Sequence, residues 1–169
     1  MKKELENTKL INGKRQAPNL KKILTKAAFT NNQLGSIKPC GDKKCKCCNA
    51  IYESSTYTFK NANYKFELKS HMTCDSRNLI YVVICPGCSE EYIGETGIGK
   101  TTQRDRVRVY RQHIKDEHLQ QLKVEGHLRD CGKGQFKIFP FLQLKSSNTN
   151  FRRSYEKYFQ QKFKTKLNR

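Results

Sequence analysis

Two groups of cysteine and histidine, and a scattered set of tyrosine, arginine and glutamate, are the residues of this chain whose types can do chemistry. Cys40, Cys45 and Cys48 form a C-x4-C-x2-C run with Cys47 as an extra thiol, and Cys74 is the next cysteine along. Four thiolates fit a tetrahedral structural zinc, the first expected metal. Spacing alone leaves open whether Cys47 replaces Cys48 and whether His71 replaces Cys74. A second set has the form C-x2-C…H-x3-C: Cys85, Cys88, His127 and Cys131. Here His127 and Cys131 stand four residues apart, the spacing by which one helix offers two ligands from one face. Outside the metal sets, Tyr81 and Tyr92 fall on neighbouring strand-like segments. Arg106, Tyr110 and His113 share one face of a helical stretch. Glu156 is the sole acidic residue of the last helical segment. The tyrosines read either as core residues with satisfied hydroxyls or as reactive groups, and Glu156 as a salt-bridge partner or a divalent-metal ligand.

These residues need elements to position them. The organising stretch is Asn78–Thr96, NLIYVVICPGCSEEYIGET. Leu79–Ile84 is apolar and β-branched, the composition of a buried strand. Pro86-Gly87 signals a turn, and Glu91–Gly94 reads as the returning strand. The result is a hairpin with one tyrosine per strand and the Cys85/Cys88 pair at its tip. Upstream, Tyr57–Phe59 and Tyr64–Leu68 alternate polar and apolar residues, which predicts a two-stranded ribbon between the ligands of the first cysteine set. Downstream, Thr101–Lys115 reads as a helix capped by Thr101 or Thr102, with Asp105 in its first turn. Val107, Tyr110 and Ile114 form its buried stripe, while Arg104, Arg108 and Arg111 point elsewhere and are free to meet phosphates. Leu119–Cys131 reads as a second helix. Pro140 within Phe136–Leu144 argues for an edge strand or a bend. Thr149 is a candidate cap for the last helix, whose Phe151, Tyr155, Tyr158, Phe159 and Phe163 are expected to form one wide buried aromatic face.

Composition sets the class of partner. The 169 residues carry 34 Lys+Arg against 15 Asp+Glu, a net charge of +19. Such a charge costs stability by self-repulsion and points to a polyanion, with nucleic acid first and an anionic membrane surface second. No apolar run is long enough to span a bilayer, and no apolar signal segment follows Met1, so a cytosolic or nuclear protein is expected. Thiols stay reduced there, which favours metal over disulfides. Met1 to about Ser36 is a Lys- and Asn-rich basic arm in which Leu20, Ile23, Leu24 and Ala27 offer two turns of amphipathic helix. It reads as disordered, or as a linker that also touches phosphates.

Taken together, these pieces resemble a known family. Leu79-Ile80-Tyr81 and Tyr92-Ile93-Gly94, with ten residues between the two tyrosines, are similar to the signature strands of GIY-YIG endonucleases; Leu79 stands where the family has its first glycine. Arg106, Tyr110 and Glu156 fall in the family's order. The cysteine-rich knuckle and the His127–Cys131 pair bring the chain closer to the endonuclease domain of Penelope-like retroelements, which follows a telomerase-like reverse transcriptase. GKRQAPNLKKILTKA resembles the connector between the two, and Lys164–Asn168 the C-terminal end.

The resemblance implies an α+β protein with the GIY-YIG fold: a small, mostly antiparallel central sheet flanked by helices, with an N-terminal zinc knuckle. The implied parts are a basic linker arm at 1–36, a Cys-rich zinc ribbon at 37–77 and an endonuclease core at 78–169. It also implies one catalytic Mg²⁺ or Mn²⁺ held by Glu156, besides two structural Zn²⁺ ions. Tyr81 would act as general base or orient the attacking water. Arg106 would favour its phenolate and stabilise phosphoryl charge, with Tyr92, Tyr110 and, more weakly, His113 as further hydrogen-bond donors. The expected partners are DNA, which would be nicked to leave a 3′-hydroxyl, and the reverse transcriptase portion and RNA of the same element; the expected location is the nucleus. A non-catalytic zinc-dependent DNA-binding module and an RNA-binding adaptor with stacking aromatics are the rival expectations.

Overall fold

A computed structural model describes residues 34–97, 100–116 and 123–168. The basic arm as far as residue 33, including the Leu20–Ala27 helix, and residues 119–122 of the second predicted helix lie outside the described residues. The structure is α+β. Strands β1 (Thr56–Phe59) and β2 (Tyr64–Glu67) form an antiparallel ribbon, and β3 (Leu79–Ile84), β4 (Glu91–Glu95) and β5 (Lys137–Gln143) form an antiparallel sheet in the order β4-β3-β5. The helices are α1 (Gln103–Lys115), α2 (Lys123–Asp130) and α3 (Thr149–Phe163), followed by a 3₁₀ turn at Lys166–Asn168.

The apolar run of β3 is the middle strand, and Leu79–Val83 is buried throughout. Such a run is buried on both faces, which is why it does not alternate. Tyr81, Gly94 and Pro140 stand side by side across the sheet and therefore point to one face. Phe139 points to the other with Val82, where the ribbon packs. Phe59 stacks on Phe163 at 3.8 Å between ring centres and meets Phe141 edge-on at 5.3 Å. Each such buried aromatic contributes about 2–3 kcal/mol of hydrophobic stabilisation. The ribbon is thus one compact unit with the core rather than a separate domain. Gly35 and Ser36 bond to Leu68 and Met72 of the ribbon segment, so the folded unit begins before residue 37.

Pro140 lies on the edge strand β5, opposite a register shift at Ile80/Tyr81. An imide without an N–H is tolerated at that place. The free edge of β4 is closed by a side chain instead. Asn168 Oδ1 accepts from Ile93 N at 2.7 Å while its Nδ2 donates to Ile93 O at 2.9 Å. Helix α1 begins at Thr102 with a full capping box to Asp105, as its sequence predicts. Helix α3 differs from expectation at two points. Its cap is Asn148, not Thr149, because the Asn148 side chain reaches both Asn150 N and Phe151 N. Its aromatic face is narrower than predicted. Phe159 and Phe163 are buried, but Phe151 and Tyr158 are 45% and 53% exposed, because the helix packs through one stripe only.

Candidate active site and metal clusters

Both sets of metal-type ligands close in space. In each, one ligand atom from every residue lies within 4.8 Å of all the others: Cys40, Cys45, Cys48 and Cys74 in the first, Cys85, Cys88, His127 and Cys131 in the second. Ligands about 2.3 Å from a tetrahedral zinc stand about 3.8 Å apart. Cys48 Sγ lies 3.6 Å from both Cys40 Sγ and Cys74 Sγ, and Cys88 Sγ lies 3.2 Å from His127 Nε2. All eight cysteines are free thiols, so the two clusters are suited to a metal such as zinc. His71 is outside the first cluster and pairs with Ser36 Oγ at 2.9 Å. Cys47 is buried beside the cluster but is not one of the four residues whose ligand atoms close together.

Local backbone explains both closures. A Cβ on Gly87, at the hairpin tip, would sit 2.2 Å from Cys131 O, so only glycine lets the tip approach α2. The first cluster is fastened to α1. Arg104 N donates to Cys74 O at 2.8 Å, and the Arg104 guanidinium reaches Cys40 Sγ at 3.4 Å, Asp42 at 3.3 Å and Asp75 at 3.1 Å. Arg104 therefore serves the knuckle, as an outer partner of the ligands, and is not the unattached phosphate contact expected from sequence.

On the α1 side of the sheet the phenols converge. Arg106 Nε donates to Tyr81 Oη at 3.1 Å, the Tyr81 and Tyr110 hydroxyls lie 3.2 Å apart, and the Arg106 guanidinium lies 5.3 Å from the Tyr110 ring centre. Tyr92 joins them across Gly94. A Cβ on Gly94 would fall 2.9 Å from Tyr81 Oη and 2.9 Å from Tyr92 Cε1, so the missing side chain is what leaves room for both rings. Glu156 arrives from α3. Its charge is felt by Tyr81 and Tyr92, and Arg106 acts on it in turn. Tyr81 and Tyr110 are buried; Tyr92, Arg106 and Glu156 are partly exposed and form the accessible side of the group. His113 does not belong to it by any direct contact. Its Nδ1 lies 3.5 Å from Glu125 of α2.

The electrostatics correct one expectation. Arg106 and the Tyr110 hydrogen bond pull the Tyr81 pKa down, but burial outweighs them and the phenol sits above its ordinary value. Tyr81 is a neutral phenol in this state, not a phenolate. Tyr92 and Tyr110 are raised too, again chiefly by burial. Glu156 is pushed up to about 7, first by burial and then by Glu95, against the pull of Arg106, Arg153 and Lys157.

Glu95 and Arg152 are the contributors that sequence reasoning missed. Arg152 is fully buried. It ion-pairs through Nε with Glu95 and bonds through Nη2 to Gly97 O, while Nη1 reaches Asn78 Oδ1 at 3.3 Å. This fixes the end of β4 and orients Glu95 toward its own cation. Nothing in the pair Arg152-Arg153 marks which arginine is buried; the one signal was the glutamate directly after Gly94.

No protein-family model matches this chain, and no curated protein or solved structure matches it either. Among the described residues, no helix is long and apolar enough to cross a membrane.

Proposed function

We propose that this protein is a divalent-metal-dependent DNA endonuclease of the GIY-YIG type, the nicking component of a Penelope-like retroelement. The observation that carries the reading is the bonded set of Tyr81, Arg106 and Tyr110, drawn from β3 and α1, with Tyr92 of β4 beside Gly94 and Glu156 of α3 close enough for its charge to act on the phenols. A scaffold needs neither a guanidinium bonded to a buried phenol nor a carboxyl held at about 7 beside them. Perturbed groups gathered at one place are the mark of a reacting site.

Glu156 is the residue that would hold Mg²⁺ or Mn²⁺. A carboxylate made costly by burial and by Glu95 is a hard oxygen donor that such cations favour. When bound, the ion supplies positive charge at the scissile phosphate and the leaving 3′-oxygen. Arg106 engages the hydroxyls of Tyr81 and Tyr110; its outward N–H groups would meet phosphoryl oxygens, where charge builds in the transition state. As a neutral phenol, Tyr81 would orient the attacking water by hydrogen bonding rather than remove its proton; that proton would pass to bulk solvent as the water oxygen bonds to phosphorus and the 3′-oxygen leaves. Tyr110 fixes Tyr81 from behind, and Tyr92, at the accessible side, positions the phosphate. The product is a nick with a 3′-hydroxyl, the end that the element's reverse transcriptase extends with its RNA as template. The place of action is the nucleus, and the two Cys/His clusters carry structural zinc.

The full burial of Tyr81 is also what a non-catalytic zinc-dependent DNA-binding module would show. Nicking of supercoiled plasmid separates the two readings. With Mg²⁺ the wild type is expected to give open circles whose ends a polymerase extends. Arg106→Ala and Glu156→Ala are expected to bind DNA without nicking, and full activity in either variant overturns the assignment.

A further inference from the structure

We propose that a cleft on the far side of α1 binds single-stranded DNA by its phosphodiester backbone, next to the nicking site and separate from it. The cleft has a volume of about 1130 Å³. Lys44 and Lys46 of the first cysteine loop form one wall, Arg108, Arg111 and Lys115 of α1 a second, and Lys133 and Lys137 before and within β5 the third. Among the described residues, no acidic residue lines it. Its floor is Val107, Ile114 and Phe136, all buried, so no exposed ring offers a stacking platform and contact with a ligand runs through charge.

Several of these cations are unspent. Lys44, Lys46, Arg111, Lys115 and Lys133 make no ion pair or side-chain hydrogen bond among the described residues, whereas Arg108 pairs with Asp105 at 3.2 Å and Lys137 Nζ bonds to Asn49 O at 3.0 Å. Like charges gathered at a cleft cost stability unless a polyanion neutralises them. A three-walled cleft of this volume admits one strand, while a duplex would ride on its rim. Helix geometry sets its relation to the site. Arg108 stands two residues beyond Arg106, about 200° around the axis, so the two faces lie one helix thickness apart, about 10–12 Å. A strand leaving the Tyr92–Arg106 group is therefore within reach of the cleft. The choice of DNA as the strand rests on the endonuclease reading; the cleft and its charge do not.

The test is fluorescence anisotropy with a 20-nucleotide DNA and with the same sequence as duplex, in magnesium-free buffer, where no cleavage occurs. The triple variant Arg111→Ala/Lys115→Ala/Lys133→Ala is compared with Lys65→Ala/Lys69→Ala/Lys145→Ala, which removes the same charge from exposed positions outside the cleft. The cleft triple is expected to lose at least tenfold in single-strand affinity and to reduce the log–log salt slope by about 2, at roughly 0.7 per lost phosphate contact. The control triple is expected to lose less than threefold. Equal losses in the two triples, or a loss on duplex as large as on single strand, overturn the proposal. A protein that never nicks but shows the cleft effect sinks the endonuclease reading alone. One that nicks while its cleft triple binds normally sinks the cleft alone.

Discussion

Glu156→Gln removes an ionisable group while keeping its shape, and its effect on stability has a definite sign. In the folded protein without divalent cations the carboxyl is held at about 7, above its ordinary value. A group raised by folding contributes stability that is fully present below its unfolded pKa and is lost as pH rises through the folded one. The wild type should therefore weaken between about pH 5 and pH 8, and an amide at position 156 should not share that loss. A displacement of this size corresponds to about 3 kcal/mol, and solvent screening at a half-buried position lowers it to about 1–2 kcal/mol. Urea unfolding followed by far-UV circular dichroism, in magnesium-free buffer, reads this directly. The variant is expected to exceed wild type by about 1–2 kcal/mol near pH 8, by roughly half of that near pH 6, and to match it only near pH 4, below the unfolded pKa. Added Mn²⁺ should reverse the order near pH 8, because binding to the folded wild type stabilises it by mass action while the amide gives little. Below pH 7 protons compete, and cation affinity should fall about tenfold per pH unit. A wild type more stable than Glu156→Gln at pH 8 without cations, or equal stabilisation of both by Mn²⁺, would refute the reasoning.

Three further outcomes are expected. Elemental analysis should find close to two zinc ions per chain, from the two clusters; a folded, metal-free protein would contradict this. Cys85→Ser should release one of them and lower the melting temperature far more than Glu156→Ala does, since metal binding at such sites is itself folding energy; equal melting of the two variants would count against a structural metal at the hairpin tip. Gly94→Ala places a methyl 2.9 Å from Tyr81 Oη and from Tyr92 Cε1, and displacing the rings by a few tenths of an ångström to 1 Å should cost up to about 100-fold in nicking rate with zinc content retained; unchanged nicking would show that the ring positions do not matter.

The local signals carried much of this architecture. A β-branched run followed by Pro86-Gly87 is enough to place the hairpin, and Thr102 with Asp105 to place the start of α1, because both are governed by residues close in sequence. The cysteine spacings carried the clusters for the same reason, although only the fold decides that His71 turns to Ser36 and that Cys48 rather than Cys47 closes the first set. What was not legible depends on tertiary burial. Arg152 and Arg153 look alike in sequence, yet only Arg152 is enclosed with Glu95. Phe151 and Tyr158 fit a helical stripe, but α3 contacts the core through Phe159 and Phe163. The raised pKa of Tyr81 is not legible either, because a nearby guanidinium is visible in sequence and the desolvation that outweighs it is not.

The Asn168 clamp on Ile93 has a consequence for colloidal behaviour. Its amide gives and takes the hydrogen bonds that a neighbouring chain would otherwise offer, while Pro140 withholds a donor at the opposite border. The small sheet is thereby closed to β-augmentation on both sides. A proteolytic cut just before Thr165 would free the Ile93 N–H while Gln160 kept its carbonyl, leaving an edge donor open to a neighbouring chain.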